Sequence, residues 1–189
     1  MYEKTCGIVL RETDYKDKDK LLTLLTAEYG KITVKARGVR GPHSKSKAAC
    51  QLLAYSEFTL YEQQGRFTAT ETVTREIFPE LRSDIELLSL ASYFAQVADV
   101  VAQENDPAQE LLSLLLNALY ALAKLKKPQM LVKAVFELRM ACISGFLPDL
   151  RGCMVCGKLI PERFNISQGC LQCASCNSEE AAGIRMPIG

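Results

Sequence analysis

Five of the chain's eight cysteines fall in the stretch CMVCGKLIPERFNISQGCLQCASC, from Cys153 to Cys176. Two Cys-x2-Cys hooks roughly 15 residues apart are the spacing of structural zinc sites, because each hook presents two thiolates from one tight turn and two hooks complete a tetrahedron. The first hook is Cys153 with Cys156, followed by Gly157; for the second, Cys170, Cys173 and Cys176 offer two overlapping choices. Four thiolates leave no position for water, so such a metal is structural and not catalytic. A redox hook would sit at the strand-to-helix junction of a βαβ unit, and none is readable here. A zinc deaminase needs a His-x-Glu or Cys-x-Glu upstream of Pro-Cys-x-x-Cys, and the sequence has neither. The only histidine, His43, lies in a basic loop and reads as a solvated residue, while Cys6, Cys50 and Cys142 sit among apolar residues and read as core thiols.

A metal reading requires thiols that stay reduced, which agrees with a cytoplasmic protein. The start MYEKTCGIVLRETDY carries charges where a signal peptide has its apolar stretch, and no run of about 18 apolar residues is present.

The elements that must position these groups change period along the chain. The first 77 residues read as about five short strands with turn signals between them, which suits a small closed barrel. KLLTLLTAEYGKITVKARG looks like two strands joined at EYG, and in the second Ile32, Val34 and Ala36 alternate with Lys31, Thr33, Lys35 and Arg37. Period two puts the apolar set inside and the cations outside. After the loop GVRGPHSKSK, the segment YSEFTLYEQQGRFTATETVT gives two more strands, with Phe58 and Leu60 on one face.

From Ser83 the spacing is helical. SDIE reads as a capping box with Ser83 at the N-cap and Glu86 at N3, and DPAQ repeats the device with Asp106 as cap and Pro107 at N1. A third helix is expected from Pro128, ended by Gly145. The expected architecture is α+β: a barrel over residues 1–80, a helical bundle over 81–150 and a metal-binding segment over 151–189.

Net charge is only +1, but its distribution is uneven. From Tyr29 to Cys50 no acid occurs, while Lys31, Lys35, Arg37, Arg40, Lys45 and Lys47 are cationic; from Phe78 to Glu110 seven acids face the single base Arg82. The first part can attract a polyanion and the second cannot. No nucleophile, base and orienting group converge in the sequence, so an enzyme is not expected.

The opening GIVLRETDYKDKDKLLTLLTAEYGKITVKARGVR, the helical middle ending GFLPDL, and CMVCG followed by FNISQGCLQCASC together resemble the RecO recombination mediator family of bacterial DNA repair. The resemblance runs through the whole chain. It registers Phe164, Gly169, Cys170, Leu171, Gln172 and Cys173 on the family's aromatic, glycine pair, two variable residues and second hook, which selects Cys173 and Cys176 as ligands and leaves Cys170 in a glycine position. One zinc ion bound by Cys153, Cys156, Cys173 and Cys176 is therefore expected; since some relatives lack these ligands, the cysteines and not the family carry that expectation. The resemblance also implies a barrel of the OB type. Family members usually continue for some tens of residues beyond the zinc segment in further helices, so a chain ending IRMPIG is expected to be a shortened form, or one in which those helices are dispensable.

What the resemblance implies is a non-enzymatic, cytoplasmic protein that binds single-stranded DNA, anneals complementary strands, and works with RecR and the single-strand-binding protein SSB to load RecA. A cationic strand and loop on an OB barrel can track phosphates while rings stack on bases. Lys35, Arg37, Arg40, Lys45 and Lys47 are the expected DNA contacts, with Tyr29, Tyr55, Tyr61 or Phe67 for stacking because the chain has no Trp. Lys124, Lys126, Lys127, Lys133 and Arg139, beside Leu, Val and Phe residues, are expected to receive the acidic SSB tail. The alternative is a protein-interaction scaffold that uses the helical surface and has little DNA binding of its own.

Overall fold

A computed structural model describes residues 1–176 and 183–186, so residues 177–182 and 187–189 of the expected metal-binding segment lie outside the described part. The chain is α+β and divides into two compact units, residues 1–140 and 141–189.

In the first unit, β1 (Tyr2–Tyr15), β2 (Asp19–Thr26), β3 (Gly30–Ala36), β4 (Tyr55–Gln63) and β5 (Arg66–Glu76) close a barrel in the order β1-β2-β3-β5-β4. The β3–β5 contact is parallel; the other pairs, including the closing pair β1–β4, are antiparallel. This is a five-stranded barrel of the OB type. Strand β1 is longer than the short strands expected, at 14 residues, and a register shift between Val9 and Arg11 interrupts its ladder with β2. Such a bulge increases local twist and lets a long strand bend around a small barrel.

The alternation in β3 and β4 sorts as the period requires: Ile32, Val34, Ala36, Phe58 and Leu60 are buried, and Val9, Leu22 and Leu24 join them in the barrel interior. In β1 the neighbours of Val9 face the other way. Ile8 and Leu10, with Leu25 and Leu53, belong to a second core built with the helices, which explains why GIVL is a continuous apolar run. The helices are α1 (Pro79–Arg82), α2 (Ile85–Val101), α3 (Gln109–Ala123) and α4 (Gln129–Ile143). Phe94 of α2 stacks on Phe136 of α4 with ring centroids 4.1 Å apart, and Leu115 and Leu119 of α3 are fully buried.

The helix starts differ from the sequence expectation. Asp84, not Ser83, caps α2: its carboxylate accepts from the amides of Glu86 (2.8 Å) and Leu87 (3.2 Å), while the Ser83 hydroxyl donates back to the Glu80 carbonyl. Asp106 does not cap α3, which begins at Gln109 behind Ala108 without a side-chain cap. The reason is tertiary. The segment before α3 is held against the β2–β3 hairpin, with the Lys31 amide donating to Gln103 O (2.9 Å), the Asn105 amide to Tyr29 O (3.2 Å) and the Ala108 amide to Ala27 O (2.9 Å). Gly30 makes that approach possible: at φ +61° it lies where a Cβ would overlap the carbonyl oxygens of Asp106 and Gln103.

In the second unit, α4 closes through paired bonds from the Gly145 amide to Cys142 O and from the Phe146 amide to Ala141 O. A small sheet follows, built from β6 (Asp149–Cys153), β7 (Arg163–Asn165), β8 (Cys170–Gln172) and β9 (Gly183–Arg185) in the order β6-β8-β7-β9. Of the thiols expected in the core, Cys50 is fully buried whereas Cys6 and Cys142 are half-buried.

Candidate metal centre and nucleic-acid surface

Cys153 ends β6 and starts a tight turn in which the Gly157 amide donates to Cys153 O and the Cys153 amide to Lys158 O, both at 2.8 Å. Cys173 follows β8, and a second turn brings the Cys176 amide to Cys173 O at 3.1 Å. The sulfurs of Cys153, Cys156, Cys173 and Cys176 all lie within 4.8 Å of one another. A tetrahedron with metal–sulfur bonds of about 2.3 Å has sulfur–sulfur edges of about 3.8 Å. Cys153 and Cys173 are 3.8 Å apart and Cys156 and Cys173 are 3.6 Å apart, so this donor set fits a metal ion with a closed coordination sphere. Cys170 stands outside the group: buried in β8, its sulfur faces the Gln168 side-chain oxygen at 3.8 Å.

The electrostatics of the four thiols are uneven. Backbone amides, first that of Cys156 and then that of Cys173, hold the Cys153 thiol down at about 6. Cys176 is pushed up to about 12, chiefly by sharing hydrogen bonds with Cys173 and then with Cys156. Four crowded sulfurs resist ionising together unless a cation compensates them, and a bound metal keeps coordinating thiols deprotonated. Glu162, for which no role was expected, ties the hooks together: one oxygen accepts from Lys158 Nζ (2.7 Å) beside the first hook, and the other from the Ala174 amide (3.1 Å) within the second.

On the barrel, the acid-free segment does not stay unpaired. Lys31 meets Asp99 of α2 at 3.4 Å, Lys35 meets Asp19 at 3.1 Å, and Arg40 meets Asp14 at 3.2 Å. Arg37, Lys45 and Lys47 are exposed and have no ion-pair partner among the described residues. The structure adds two cations. Lys16 and Lys18, in the turn between β1 and β2, are exposed, and the β3–β4 loop is pinned to that turn by the Arg40 amide on Lys18 O (3.0 Å) and the Gly38 amide on Asp19 Oδ1 (2.9 Å). The interleaved acids of DYKDKDK conceal this cluster in a count of charge.

The rings expected to stack on bases are mostly engaged. Tyr29 packs on Phe67 at 6.3 Å, Tyr55 is half-buried, and Tyr61 packs at a tilt against Tyr2 with ring centroids 5.2 Å apart.

Among the helix cations, Lys124 is taken by Glu80 (2.8 Å) and Glu76 (3.8 Å), whereas Lys126, Lys127 and Arg139 are exposed. Lys133 lies 3.9 Å from Glu137 and over the Tyr93 ring at 5.7 Å. It helps line a groove of about 510 Å³ between α2 and α4, with Ile85, Glu86, Leu90 and Tyr93. No helix among the described residues is long and apolar enough to cross a membrane.

Comparison with known proteins matches residues 1–77 to the family model "Recombination protein O N terminal" and residues 82–187 to "Recombination protein O C terminal". The DNA repair protein RecO of Acetivibrio thermocellus is 32% identical over 190 residues, covering 100% of this chain and 76% of the relative. That of Alkaliphilus metalliredigens is 32% identical, covering 100% and 77%, and that of Desulforamulus reducens 33% identical, covering 98% and 73%. With the barrel, the helices and the cysteine cluster in the same chain, this protein belongs to the RecO family of DNA repair proteins.

Proposed function

We propose that this chain is a non-enzymatic recombination mediator. It binds single-stranded DNA on its barrel, anneals complementary strands, and with RecR and SSB promotes loading of RecA onto covered strands in the bacterial cytoplasm. Residues 1–80 act as the nucleic-acid module and 81–150 as a docking module. Residues 151–189 are held together by one structural zinc ion on Cys153, Cys156, Cys173 and Cys176, since a closed set of four thiolates suits that ion.

The observation that carries the DNA reading is the joining of the β1–β2 turn to the β3–β4 loop at one end of an OB-type barrel, which gathers Lys16, Lys18 and Arg37 on exposed backbone. Lys45 and Lys47 in the same β3–β4 loop extend the cationic surface. Lys35 and Arg40 contribute less, because Asp19 and Asp14 already compensate them. Measuring affinity for an oligothymidylate at several salt concentrations tests this. Each lost phosphate contact reduces the log–log salt slope by about 0.7. Arg37→Ala should lower affinity and slope together, and Arg40→Ala should change the slope less. An Arg37→Ala protein that binds like the parent, with the same slope, refutes the assignment.

The α2–α4 groove, apolar at Ile85, Leu90 and Tyr93 with Lys133 at its edge, supports docking of an acidic, apolar-ended peptide such as the SSB tail, with Lys126, Lys127 and Arg139 supplying further positive charge. Lys124 is committed to Glu80. Peptide titration against a Lys126→Glu, Lys127→Glu variant tests those two residues, and unchanged affinity removes them. The scaffold reading is favoured by one observation, the exposed apolar positions Leu131, Val135 and Leu138 on α4, and would stand if the parent showed no salt-dependent DNA binding.

A further inference from the structure

We propose that Tyr15 is the residue on which a DNA base stacks. The inference rests on the single-strand-binding reading above and goes beyond it by naming the contact that meets a base and not a phosphate.

Tyr15 is the last residue of β1 and pairs with Asp19, so its ring stands at the tip of the β1–β2 hairpin, closed by Lys16, Asp17 and Lys18. A ring at a hairpin tip has no core to enter, and Tyr15 is 37% exposed. Two cations lie over it, Lys35 Nζ at 5.2 Å and Lys16 Nζ at 5.5 Å from the centroid. Lys35 is itself anchored by Asp19 at 3.1 Å, so the ring is braced from the barrel wall. Attraction between a cation and the ring face orients an exposed aromatic that would otherwise rotate freely.

The charge of the tip points the same way. Lys16, Lys18, Lys35 and Arg40 are interleaved with Asp14, Asp17 and Asp19, and two of the cations are paired with two of the acids. Lys35 and Arg40 are therefore largely compensated, phosphate attraction falls to Lys16, Lys18 and the nearby Arg37, and what the tip adds to those cations is a braced aromatic ring. Surfaces that hold single strands without sequence preference combine a cationic track with such rings. The other barrel rings are less suited: Tyr29 and Phe67 pack on each other, Tyr2 and Tyr61 lean on each other at a 49° tilt, and among the described residues no cation lies over any of these four to fix its orientation.

The test uses the full chain, in which no Trp occurs, so Tyr15→Trp introduces a single indole. Titration with an oligothymidylate should quench its emission, and an abasic oligonucleotide of the same length should not. Tyr15→Leu should weaken binding of the base-bearing strand about 5- to 150-fold with an unchanged salt slope, while Tyr15→Phe stays near the parent. Circular dichroism establishes that each variant is folded, and the indole readout stands even if the Leu variant is not. Binding of folded Tyr15→Leu within twofold of the parent, or an indole that ignores bound bases, overturns the stacking role alone. A parent without salt-dependent single-strand binding overturns the DNA reading and this inference together.

Discussion

Gly30→Ala should destabilise the first unit far more than the same change at other glycines of similar conformation. Gly30, Gly38 and Gly65 have φ of +61°, +65° and +72°, so alanine meets the same left-handed backbone strain, of roughly 1 kcal/mol, at each. It also restricts the unfolded chain alike in all three, and that effect cancels in the comparison. What differs is the space. An added Cβ at Gly38 or Gly65 meets nothing within 4 Å, whereas at Gly30 it overlaps two backbone carbonyls, that of Gln103 at 2.5 Å and that of Asp106. Backbone cannot rotate aside as a side chain can, so the segment 103–108 must lift. Lifting it breaks the bonds from Lys31 to Gln103, Asn105 to Tyr29 and Ala108 to Ala27. At about 1 kcal/mol each, these amount to about 3 kcal/mol beyond the shared strain. For a chain of this size that lowers the unfolding midpoint by roughly 10 °C relative to Gly38→Ala or Gly65→Ala. Thermal and urea unfolding followed by far-ultraviolet circular dichroism measures it. A Gly30→Ala protein within about 1 kcal/mol of the two controls would show that segment 103–108 is not seated on the hairpin.

At the metal centre, Cys176→Ser should lower metal content measured by elemental analysis, while Cys170→Ser retains it because Cys170 lies outside the cluster; the reverse pattern would move the second hook. At the start of α2, Asp84→Ala should cost about 1 kcal/mol and Ser83→Ala only a few tenths, read from urea midpoints, since the Asp84 carboxylate takes both amide bonds; equal effects would refute the cap. The Lys124 ammonium donating to Glu80 holds that carboxyl below its ordinary value of 4.5. A carboxylate depressed by folding stabilises above its unfolded value, and the contribution is lost as pH falls through the folded one. Carboxyl-detected nuclear magnetic resonance titration should therefore show the Glu80 midpoint rising in Lys124→Met; an unchanged midpoint means the pair does not persist in solution.

Local periodicity was enough to read much of this molecule from its residues. The alternation of Ile32, Val34 and Ala36 with Lys31, Thr33 and Lys35 determined which face of β3 turns inward, because successive side chains on a strand must point to opposite sides. The hook spacing from Cys153 to Cys176 carried the means of bringing four sulfurs together, since a two-residue gap lets one turn present both thiolates. The resemblance was needed to choose between the overlapping hooks, and the geometry places Cys170 apart from the other four. Everything that depended on a partner distant in sequence was decided by tertiary structure. The acid-free run from Tyr29 to Cys50 looked uniformly cationic, yet Asp14, Asp19 and Asp99 reach it from β1, the start of β2, and α2, because charges compensate through space and not along the chain. DPAQ has the residues of a helix start, but hydrogen bonds to the β2–β3 hairpin hold that segment in a non-helical turn against the hairpin and delay α3 to Gln109. Tyr15 could not be singled out for the same reason: Lys16 is its neighbour in sequence, but Lys35, the cation that braces the ring from the barrel wall, lies twenty residues on and reaches it only through the pairing of β2 with β3.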